Sequence, residues 1–370
     1  MVEATGVAGT AAVLEIIAKA ADGQRVTPAE GLALFSAPLT ALGMGADRRC
    51  RRLHPDPVRT FVIGRNVNYT NICTSACSFC AFHRGATHAQ AYLLTLDDIL
   101  AKVAEMVEVG GTELLLQGGL HPGLRLAWYE TVFRAIRAAF PLVQIHALSP
   151  SEIIHLAALE EFPIETLLTR LQHAGLQSIP GGGAEILVDR VRAKVSPRKC
   201  RTDEWLTVMR SAHQLGLPTT ATMVYGHLET PAERMVHLER LRALQDDTGG
   251  FLGFIPWPFQ PGDTALGRQI AAPDTGSPSF LRMLAISRLY LDNFPNLQSS
   301  WVTMGLDIGQ VGLGFGANDL GSTMMEEHVV SAAGTTYRTN ATELARLIAD
   351  MGFRPAQRTT TYTLVREWKE

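Results

Sequence analysis

The chain has 370 residues, of which 46% are hydrophobic and 19% charged, and its formal net charge is −3. This composition is typical of a globular protein with a large core and argues against global disorder. It lacks the basic bias of nucleic-acid binders, so we expect no nucleic-acid partner. No stretch approaches the roughly 18 to 20 apolar residues of a membrane span, so we expect no membrane association.

The amino-terminal residues and the cysteine content bear on the cellular compartment. Glu3 lies near the start, and no basic segment precedes an apolar run there, so we expect no secretory signal. The chain has five cysteines. An odd number without a secretory signal indicates a reducing compartment rather than a disulfide framework. We therefore predict a cytoplasmic location.

Residues 1–55 predict an amino-terminal helical extension. Thr27 is a typical N-cap residue, Pro28 suits the first helical position, and Glu30 completes a capping box. Apolar residues then follow at helical spacing.

From about residue 60, short β-type runs alternate with amphipathic segments, which predicts parallel βα units. Eight such runs predict an α/β fold of the (β/α)8 TIM-barrel type over residues 56–320, with 321–370 as a carboxyl-terminal extension packing on the barrel. An open doubly wound sheet is the alternative. The predicted strands are Phe61–Ile63, Glu113–Leu116, Leu142–His146, Leu176–Ile179, Thr219–Val224, Phe251–Trp257, Leu297–Thr303 and Val311–Phe315. The amphipathic segments include Leu96–Val109, Trp128–Ala139, Asp203–Leu215 and Glu233–Gln245.

Three of the five cysteines, Cys73, Cys77 and Cys80, lie within eight positions just after the first predicted strand. Strand ends at the carboxyl face are where barrel enzymes place their sites. Cysteine thiolates ligate iron–sulfur clusters, and four of them complete a [4Fe-4S] cluster. Three ligands leave one iron open, so we predict one such cluster per chain with a vacant coordination position.

Two other interpretations of the cysteines stay open from spacing alone. His83 could complete a zinc site, although most structural zinc sites take a second pair of ligands from a distant segment. The thiols could also be inert buried groups. Polar neighbours suit that interpretation poorly; they are Thr70, Asn71, Thr74 and Ser75. A zinc-stabilised or cluster-stabilised protein without turnover would be a binding module rather than an enzyme.

The C-x3-C-x2-C spacing after the first strand, with Phe79 before the third cysteine, resembles the radical S-adenosylmethionine (SAM) superfamily. The resemblance implies SAM as a second cofactor, bound through its methionine amine and carboxylate at the open iron. Reductive cleavage of SAM then yields a 5′-deoxyadenosyl radical. An external electron donor such as flavodoxin or ferredoxin is implied as a partner.

Longer segments resemble the menaquinone and deazaflavin branch of that superfamily. The branch as a whole is matched by 66–82, 181–187 (GGGAEIL) and 316–327 (GANDLGSTMMEE). Other segments are similar to the cyclic dehypoxanthinyl futalosine synthase family, namely 246–256, 298–301, 326–334 and 355–362. The similarity extends from about residue 60 to 365. Aminofutalosine synthase and the deazaflavin (FO) synthase subunits stay open as alternatives.

Cofactor contacts follow from the resemblance and from position. Phe79 would lie near the SAM adenine. Gln117, Gly118 and Gly119 stand where many members carry Gly-Gly-Glu for the SAM amino group, so Gln117 would act through an uncharged amide oxygen. The remaining SAM candidates are Ser149, Glu152, Glu185, Arg192 and Lys199, the last two also being candidates for the substrate carboxylate.

The resemblance implies dehypoxanthinyl futalosine as substrate, a ribose-like sugar linked to a benzoate. Hydrogen abstraction from sugar C4′, addition of the carbon radical to the aromatic ring, and loss of one electron and one proton would form the cyclic product. This chemistry requires a dry pocket and a base. We predict His227 and Tyr69 as catalytic, with Asp319 and Glu326 as further bases, and four substrate-binding residues: Asn68, Gln260, Asn318 and Asp319. Cys50, Cys200 and His83 are interpreted as non-catalytic.

Overall fold

The computed structural model describes residues 9–368, so Glu3 and the rest of the first eight residues lie outside the described part, as do the last two. Its strands are β1 (Val58–Val62), β2 (Gly64–Asn68), β3 (Glu113–Gln117), β4 (Gln144–Ala147), β5 (Thr219–Tyr225), β6 (Phe251–Pro258), β7 (Asn296–Leu297), β8 (Asp319–Ser322), β9 (Arg354–Arg358) and β10 (Leu364–Glu367).

The amino-terminal helices are α1 (Thr10–Ala21), α2 (Pro28–Ala33) and α3 (Leu39–Leu53). The later helices are α4 (Leu96–Glu108), α5 (Leu126–Ala139), α6 (Pro150–Glu160), α7 (Ile164–Ala174), α8 (Asp189–Val195), α9 (Thr202–Gln214), α10 (Pro231–Thr248), α11 (Ser277–Tyr290), α12 (Trp301–Met304), α13 (Leu306–Val311) and α14 (Ala341–Asp350). Over residues 9–368, no helix is long and apolar enough to cross a membrane.

Eight strand positions pair in parallel around a closed ring. One run consists of β2, β3 and β4, and a second consists of β5, β6 and β7. Single bridges link the rest: His146 with Ser178, Ile179 with Thr219, and Gln298 with Asp319. β8 then pairs with β1, which continues through Ile63 into β2 and closes the ring. This closure confirms the predicted (β/α)8 barrel and excludes the open sheet.

Two predicted strands near the end of the barrel are wrong. Residues 311–315 end α13 and form a 3-10 turn, and the eighth strand is β8, a few residues later. Glycines at 312 and 314 have little strand preference, so the apolar run was misleading. The predicted strand Leu297–Thr303 shortens to β7, because Trp301 begins α12.

The carboxyl-terminal segment completes the base of the barrel. β9 pairs in parallel with β1, and β10 pairs antiparallel with β9. The turn between them crosses the amino-terminal ends of the barrel strands: Thr360 N donates to Gln144 Oε1 at 2.6 Å, and Gln298 Nε2 donates to Tyr362 Oη at 2.9 Å. Residues 358–362 therefore close the lower end of the barrel.

A buried histidine makes the fold sensitive to acid. His237 on α10 is fully buried, and its Nδ1 accepts a hydrogen bond from Leu187 N at 3.0 Å. Burial lowers the pKa of His237 to about 3. In the unfolded chain the pKa is about 6.5, so below that pH the unfolded state binds a proton that the native state does not. Stability should therefore fall from pH 6.5 towards pH 3, by up to about 1.4 kcal/mol per pH unit for this residue.

We expect His237→Asn to reduce this slope by about one proton, because an asparagine Oδ1 can still accept from Leu187 N but does not titrate. The slope of the free energy of unfolding between pH 6 and 5, from urea titrations, is the measurement, because the unfolded histidine is mostly protonated in that range. His88→Asn, at an exposed position, is the matched control and should leave the slope unchanged. An identical slope in wild type and the His237 variant would contradict the prediction.

Candidate active site

A cavity of about 280 Å³ opens at the carboxyl ends of the barrel strands. Its wall includes all three cysteines of the C-x3-C-x2-C loop, the inward residues of β2 and β3, and the ends of β5 and β6. A second, more open cavity of about 530 Å³ adjoins it, and the two share Asn68, Asn71 and Phe82. The first cavity lies where a βα barrel places its active site.

The cysteine loop is held against the barrel by main-chain hydrogen bonds. Cys73 N donates to Arg84 O at 3.0 Å, and Ser78 N donates to Val195 O at 2.9 Å. The Ser78 carbonyl in turn accepts from Leu266 N at 2.8 Å. These bonds fix the direction of the loop, so the three thiols line one cavity.

Two glycines after β3 allow the close approach of the cysteine loop. A Cβ on Gly119 would lie 2.2 Å from Ile72 O and 2.8 Å from Cys73 Cβ. A Cβ on Gly118 would lie 2.6 Å from the Tyr69 ring. Any side chain at either position would displace the loop, so these glycines are needed for packing as well as for cofactor access.

The surroundings of the three thiols bear on which metal centre they could hold. Burial raises the pKa of Cys77 to about 11, so iron ligation there would release a proton at neutral pH. His83 lies beside Cys80, with Nδ1 3.0 Å from the Cys80 carbonyl oxygen. Across the described chain, no three cysteine, histidine or carboxylate side chains converge on a point that a single ion would occupy. A single zinc ion needs ligands that converge in this way, so the zinc interpretation with His83 finds no support.

A buried ion pair stands beside the thiols. Lys199 Nζ lies 2.7 Å from Glu185 Oε1 and 5.3 Å from the centre of the Phe79 ring. Burial opposes ionisation of Glu185, but Lys199 and Arg192 outweigh it and hold its pKa below the ordinary value. Phe79, Glu185 and Lys199 therefore present one ring, one anion and one cation to the same part of the cavity wall.

Glu152 anchors the Gln117-Gly118-Gly119 turn. Its Oε1 accepts from Gly118 N at 2.9 Å and from Tyr69 Oη at 2.8 Å, and its Oε2 accepts from Ser149 N and Oγ at 2.6 and 2.7 Å. Four donors saturate the carboxylate. Ser149 and Glu152, both predicted SAM contacts, line the cavity. Because four protein donors already occupy its carboxylate, Glu152 supports the turn.

The two residues predicted as catalytic are engaged elsewhere. Tyr69 is fully buried, donates to Glu152, and its pKa is raised well above the ordinary value by burial. His227 Nδ1 accepts from Leu228 N at 2.7 Å, which leaves Nε2–H to donate to Val224 O at 3.0 Å. Burial also lowers the pKa of His227. Neither side chain lines the cavity, so the structure does not bring them to the site and their catalytic roles stay predictions.

Asn318 and Asp319 lie at the base of the barrel and do not line the cavity. Asn318 Oδ1 accepts from Arg288 and from Leu297 N, and Asp319 forms a buried ion pair with Arg358. The structure does not bring either residue to the cavity, because β8 begins at Asp319 and both precede its carboxyl end; their assignment to the substrate stays a prediction.

Arg192 and Glu326 are also committed to protein partners. The Arg192 guanidinium is buried and donates to the Gly183, Ala184 and Cys200 carbonyl oxygens, so it supports the glycine turn rather than facing the cavity. Burial opposes ionisation of Glu326, but His328, Lys102 and Arg65 bring its pKa to about 2, too low for a base at neutral pH.

Other predicted residues do line the cavity: Asn68, Phe79, Gln117, Gly118, Gly119, Lys199 and Gln260. Gln260 uses its amide within the protein, since Nε2 donates to Pro258 O at 3.0 Å and Oε1 accepts from Thr335 Oγ1 at 2.9 Å. It therefore ties the segment after β8 to the cavity rim.

Several lining residues were missed, among them Asn66, Trp257, Val329 and Val330. The N-V-N alternation of β2 was a readable signal for Asn66, because it places residues 66 and 68 on one face. Val329 and Val330 carry no such signal, because the sequence around them does not show that their loop folds back onto the cavity. Glu327 holds that loop by accepting from three main-chain N–H groups, those of Val329, Val330 and Ser331.

Residues 67–241 match the model of the radical SAM superfamily, and residues 248–370 match that of the CofH/MqnC C-terminal region. A cyclic dehypoxanthine futalosine synthase of Halalkalibacterium halodurans is 43% identical over 96% of this chain and 95% of its own length. The chain belongs to the radical SAM superfamily.

This radical SAM enzyme is similar to further members of the same branch. The cyclic dehypoxanthine futalosine synthase of Streptomyces coelicolor is 45% identical over 94% of this chain and 87% of its own length. The aminodeoxyfutalosine synthase of Thermus thermophilus is 39% identical over 96% of each chain. As a superfamily member, the enzyme uses a [4Fe-4S] cluster and SAM on a small-molecule substrate.

Solved structures show the same fold. Methylornithine synthase (PylB) superposes with a TM-score of 0.74, covering 92% of this chain and 97% of its own, at 17% identity. The [FeFe]-hydrogenase maturase HydG superposes with a TM-score of 0.75, covering 96% of this radical SAM enzyme and 77% of its own chain, at 16% identity. Because the sequence identities are only 16% and 17%, these superpositions show a shared fold and nothing about activity.

Proposed function

We propose that this radical SAM enzyme converts dehypoxanthinyl futalosine into its cyclic form in the futalosine route to menaquinone. The observation that carries the proposal is the identity of 43% and 45%, over 96% and 94% of the chain, with two enzymes of that name. Aminodeoxyfutalosine synthase is the second candidate, because the Thermus relative is nearly as similar. A third is a 4-hydroxyphenyl transferase acting on L-tyrosine, for which a relative from Methanothermobacter thermautotrophicus is 41% identical over 94% of the chain.

Cys73, Cys77 and Cys80 would ligate one cluster and leave one iron for SAM. When bound, the cluster and SAM supply a 5′-deoxyadenosyl radical that takes hydrogen from the substrate sugar. The observation in support is that the three thiols line one cavity, in a loop seated on Gly118 and Gly119. The loop approaches the barrel as closely as glycine allows.

The cavity wall offers contacts for SAM on both sides of the thiols. Gln117 would accept from the SAM amino group, with Gly118 held in place by Glu152 and Gly119 by the Thr70 carbonyl oxygen. Phe79 would contact the adenine. Glu185 and Lys199 would bind polar groups of SAM, since both side chains reach the cavity while paired with each other.

The protein would protect the radical by excluding water. The loop held by Glu327 places Val329 and Val330 on the cavity wall. Farther along the same segment, Thr335 donates a hydrogen bond to Gln260. At the other end, residues 358–362 close the base. Exclusion of water at both ends, by valines at the rim and by a hydrogen-bonded turn at the base, would leave the radical no partner except the positioned substrate.

An external electron donor such as flavodoxin or ferredoxin would dock at the cysteine loop. Two arginines support that loop with their guanidinium groups: Arg198 Nη1 donates to Thr74 O at 3.2 Å, and Arg84 Nη1 donates to Ala81 O at 2.8 Å. Positive charge beside the loop would favour an acidic redox protein.

The substrate is tested by 5′-deoxyadenosine release. Reduced, reconstituted enzyme is incubated with SAM in three separate reactions. The first contains dehypoxanthinyl futalosine, the second contains the substrate of aminodeoxyfutalosine synthase, and the third contains L-tyrosine with 5-amino-6-(D-ribitylamino)uracil. We expect release to rise above the no-substrate rate only with dehypoxanthinyl futalosine, and the product to be two hydrogen atoms lighter, since one hydrogen atom, one electron and one proton leave. Release driven by another substrate would overturn the proposal.

A further inference from the structure

Two asparagines on β2, Asn66 and the predicted substrate-binding residue Asn68, face the cavity together. Resting on the proposed function, we infer that Asn66 and Asn68 accept hydrogen bonds from hydroxyl groups of the substrate's sugar. Both side chains line the cavity, yet they are only 7% and 3% exposed. Such buried amides are usually satisfied by protein partners.

The carbonyl oxygens of these amides lack partners. Over residues 9–368, neither Asn66 Oδ1 nor Asn68 Oδ1 has a hydrogen-bond donor within reach. The orientation of Asn68 is set by its other atom, because Nδ2 donates to Gln117 O at 3.3 Å. Rotating the amide would place two acceptor oxygens together, so Oδ1 stays turned away from that carbonyl. A buried acceptor left unpaired costs free energy that a ligand donor would recover.

Strand geometry places the two oxygens at different depths. Alternate residues of a strand share a face, so residues 66 and 68 both point inward while Val67 is buried on the other face. Their Cα positions are separated by about 6.6 Å along the strand. Asn68 ends β2 just before the cysteine loop, whereas Asn66 lies one strand repeat deeper. SAM bound at the thiols would lie nearer the mouth of the cavity. Asn66 would therefore face a substrate bound deeper in the barrel.

The chemistry of the wall favours a neutral donor. Around the two amides, the cavity wall contains apolar Leu115, Val302 and Met324. A neutral amide oxygen in apolar surroundings suits a hydroxyl, whereas a charged ammonium would need a free carboxylate to offset desolvation. The three carboxylates on this wall already have protein donors: Glu152, Glu185 and Glu327. Sugar hydroxyls occur both in the substrate and in the ribose of SAM, so the experiment must separate these sources.

The test uses Asn66→Leu and Asn68→Leu in reconstituted holoenzyme, because leucine is similar in size and has no acceptor. The Kd for dehypoxanthinyl futalosine is measured by equilibrium dialysis, and the Kd for SAM by the change in the electron-paramagnetic signal of the reduced cluster. We expect each substitution to raise the substrate Kd by about 10- to 100-fold. The SAM Kd and the iron content should stay unchanged.

Asn293→Leu is the matched control. Asn293 also has an unpartnered Oδ1 among the described residues, but it lies before β7 at the base of the barrel, where Nδ2 donates to Arg242 O. Its substitution should leave both affinities unchanged. A substrate analogue with one sugar hydroxyl replaced by hydrogen adds a second check: it should bind wild type weakly and lose no further affinity in the variant that lacks the matching acceptor.

Each outcome decides the inference. A rise in the SAM Kd instead would assign the amides to the SAM ribose and overturn it, and unchanged values for both ligands would mean that water satisfies the oxygens. If wild type does not bind dehypoxanthinyl futalosine, the proposed function fails separately. The variants are then titrated with the substrate that drives 5′-deoxyadenosine release: loss of affinity supports hydroxyl recognition, and an unchanged Kd overturns it.

Discussion

Cys77→Ser is expected to abolish SAM cleavage while the barrel stays folded. Cys77 is 4% exposed and is the central thiol of the loop. A serine hydroxyl is a poor iron ligand, and two remaining thiolates would hold a cluster weakly. We expect iron to fall from about four per chain towards zero after anaerobic reconstitution, with loss of the SAM-dependent change in the electron-paramagnetic spectrum. Because the loop is held by main-chain bonds, circular dichroism should be close to wild type.

The matched control for this prediction is Cys50→Ser. Cys50 is another buried free cysteine, but it lies on α3 with Sγ 3.7 Å from Ala317 O, outside the cavity. Iron content and 5′-deoxyadenosine release should be retained in that variant. A Cys77 variant that keeps four irons and cleaves SAM would falsify the assignment of the three thiols.

Asp319→Ala is expected to cost about 3 to 5 kcal/mol in the free energy of unfolding. Asp319 is fully buried, and Arg358 is 2% exposed. The pair is bidentate: Arg358 Nε lies 2.5 Å from Asp319 Oδ2, and Nη2 lies 2.8 Å from Oδ1. Removing the carboxylate takes away the counter-charge that contacts the buried guanidinium directly and leaves only the more weakly coupled Glu113. Thr60 Oγ1 and Gly321 N also lose their acceptor.

A double substitution separates charge from packing. Asp319→Leu with Arg358→Met removes both charges and should be less destabilising than either single change, because no uncompensated charge is left. Urea unfolding of each variant supplies the free energies. Glu343→Ala, which breaks an exposed pair with Arg346, is the control and should cost no more than about 0.5 kcal/mol. If the double variant lost as much free energy of unfolding as the two single variants together, Asp319 and Arg358 would not be coupled and the prediction would be wrong.

This ion pair has a consequence for the active site, because it holds the base of the barrel closed. Arg358 begins the turn whose Thr360 and Tyr362 contact the lower ends of the barrel strands. A loosened turn would admit water from below, which a radical reaction cannot tolerate. We therefore expect Asp319→Ala to impair stability and cavity closure, because the observed contacts of Asp319 are with the base of the barrel.

The parts of the site that were predictable are local in the chain. Three thiols within eight positions are brought together by the loop itself, so their spacing already indicates shared ligation. The glycine turns after β3 and before Glu185 were predictable for the same reason. The barrel was predictable because its repeating strand and helix segments each show their own periodicity.

The parts that were not predictable depend on distant segments. His227 and Tyr69 looked available because a histidine and a tyrosine stood at strand ends, but Leu228, Glu152 and Tyr129 occupy their polar atoms. Nothing in the local pattern reveals which polar atoms will already be paired.

By itself, the sequence determined the chemistry of the cysteine loop, because covalent spacing brings Cys73, Cys77 and Cys80 together whatever the rest of the chain does. Only the tertiary structure decided that Asp319 meets Arg358 across 39 residues and that Asn66 is left with an unpaired oxygen. Pairing and burial arise from packing between distant elements, and the free energy of a polar group depends on those neighbours.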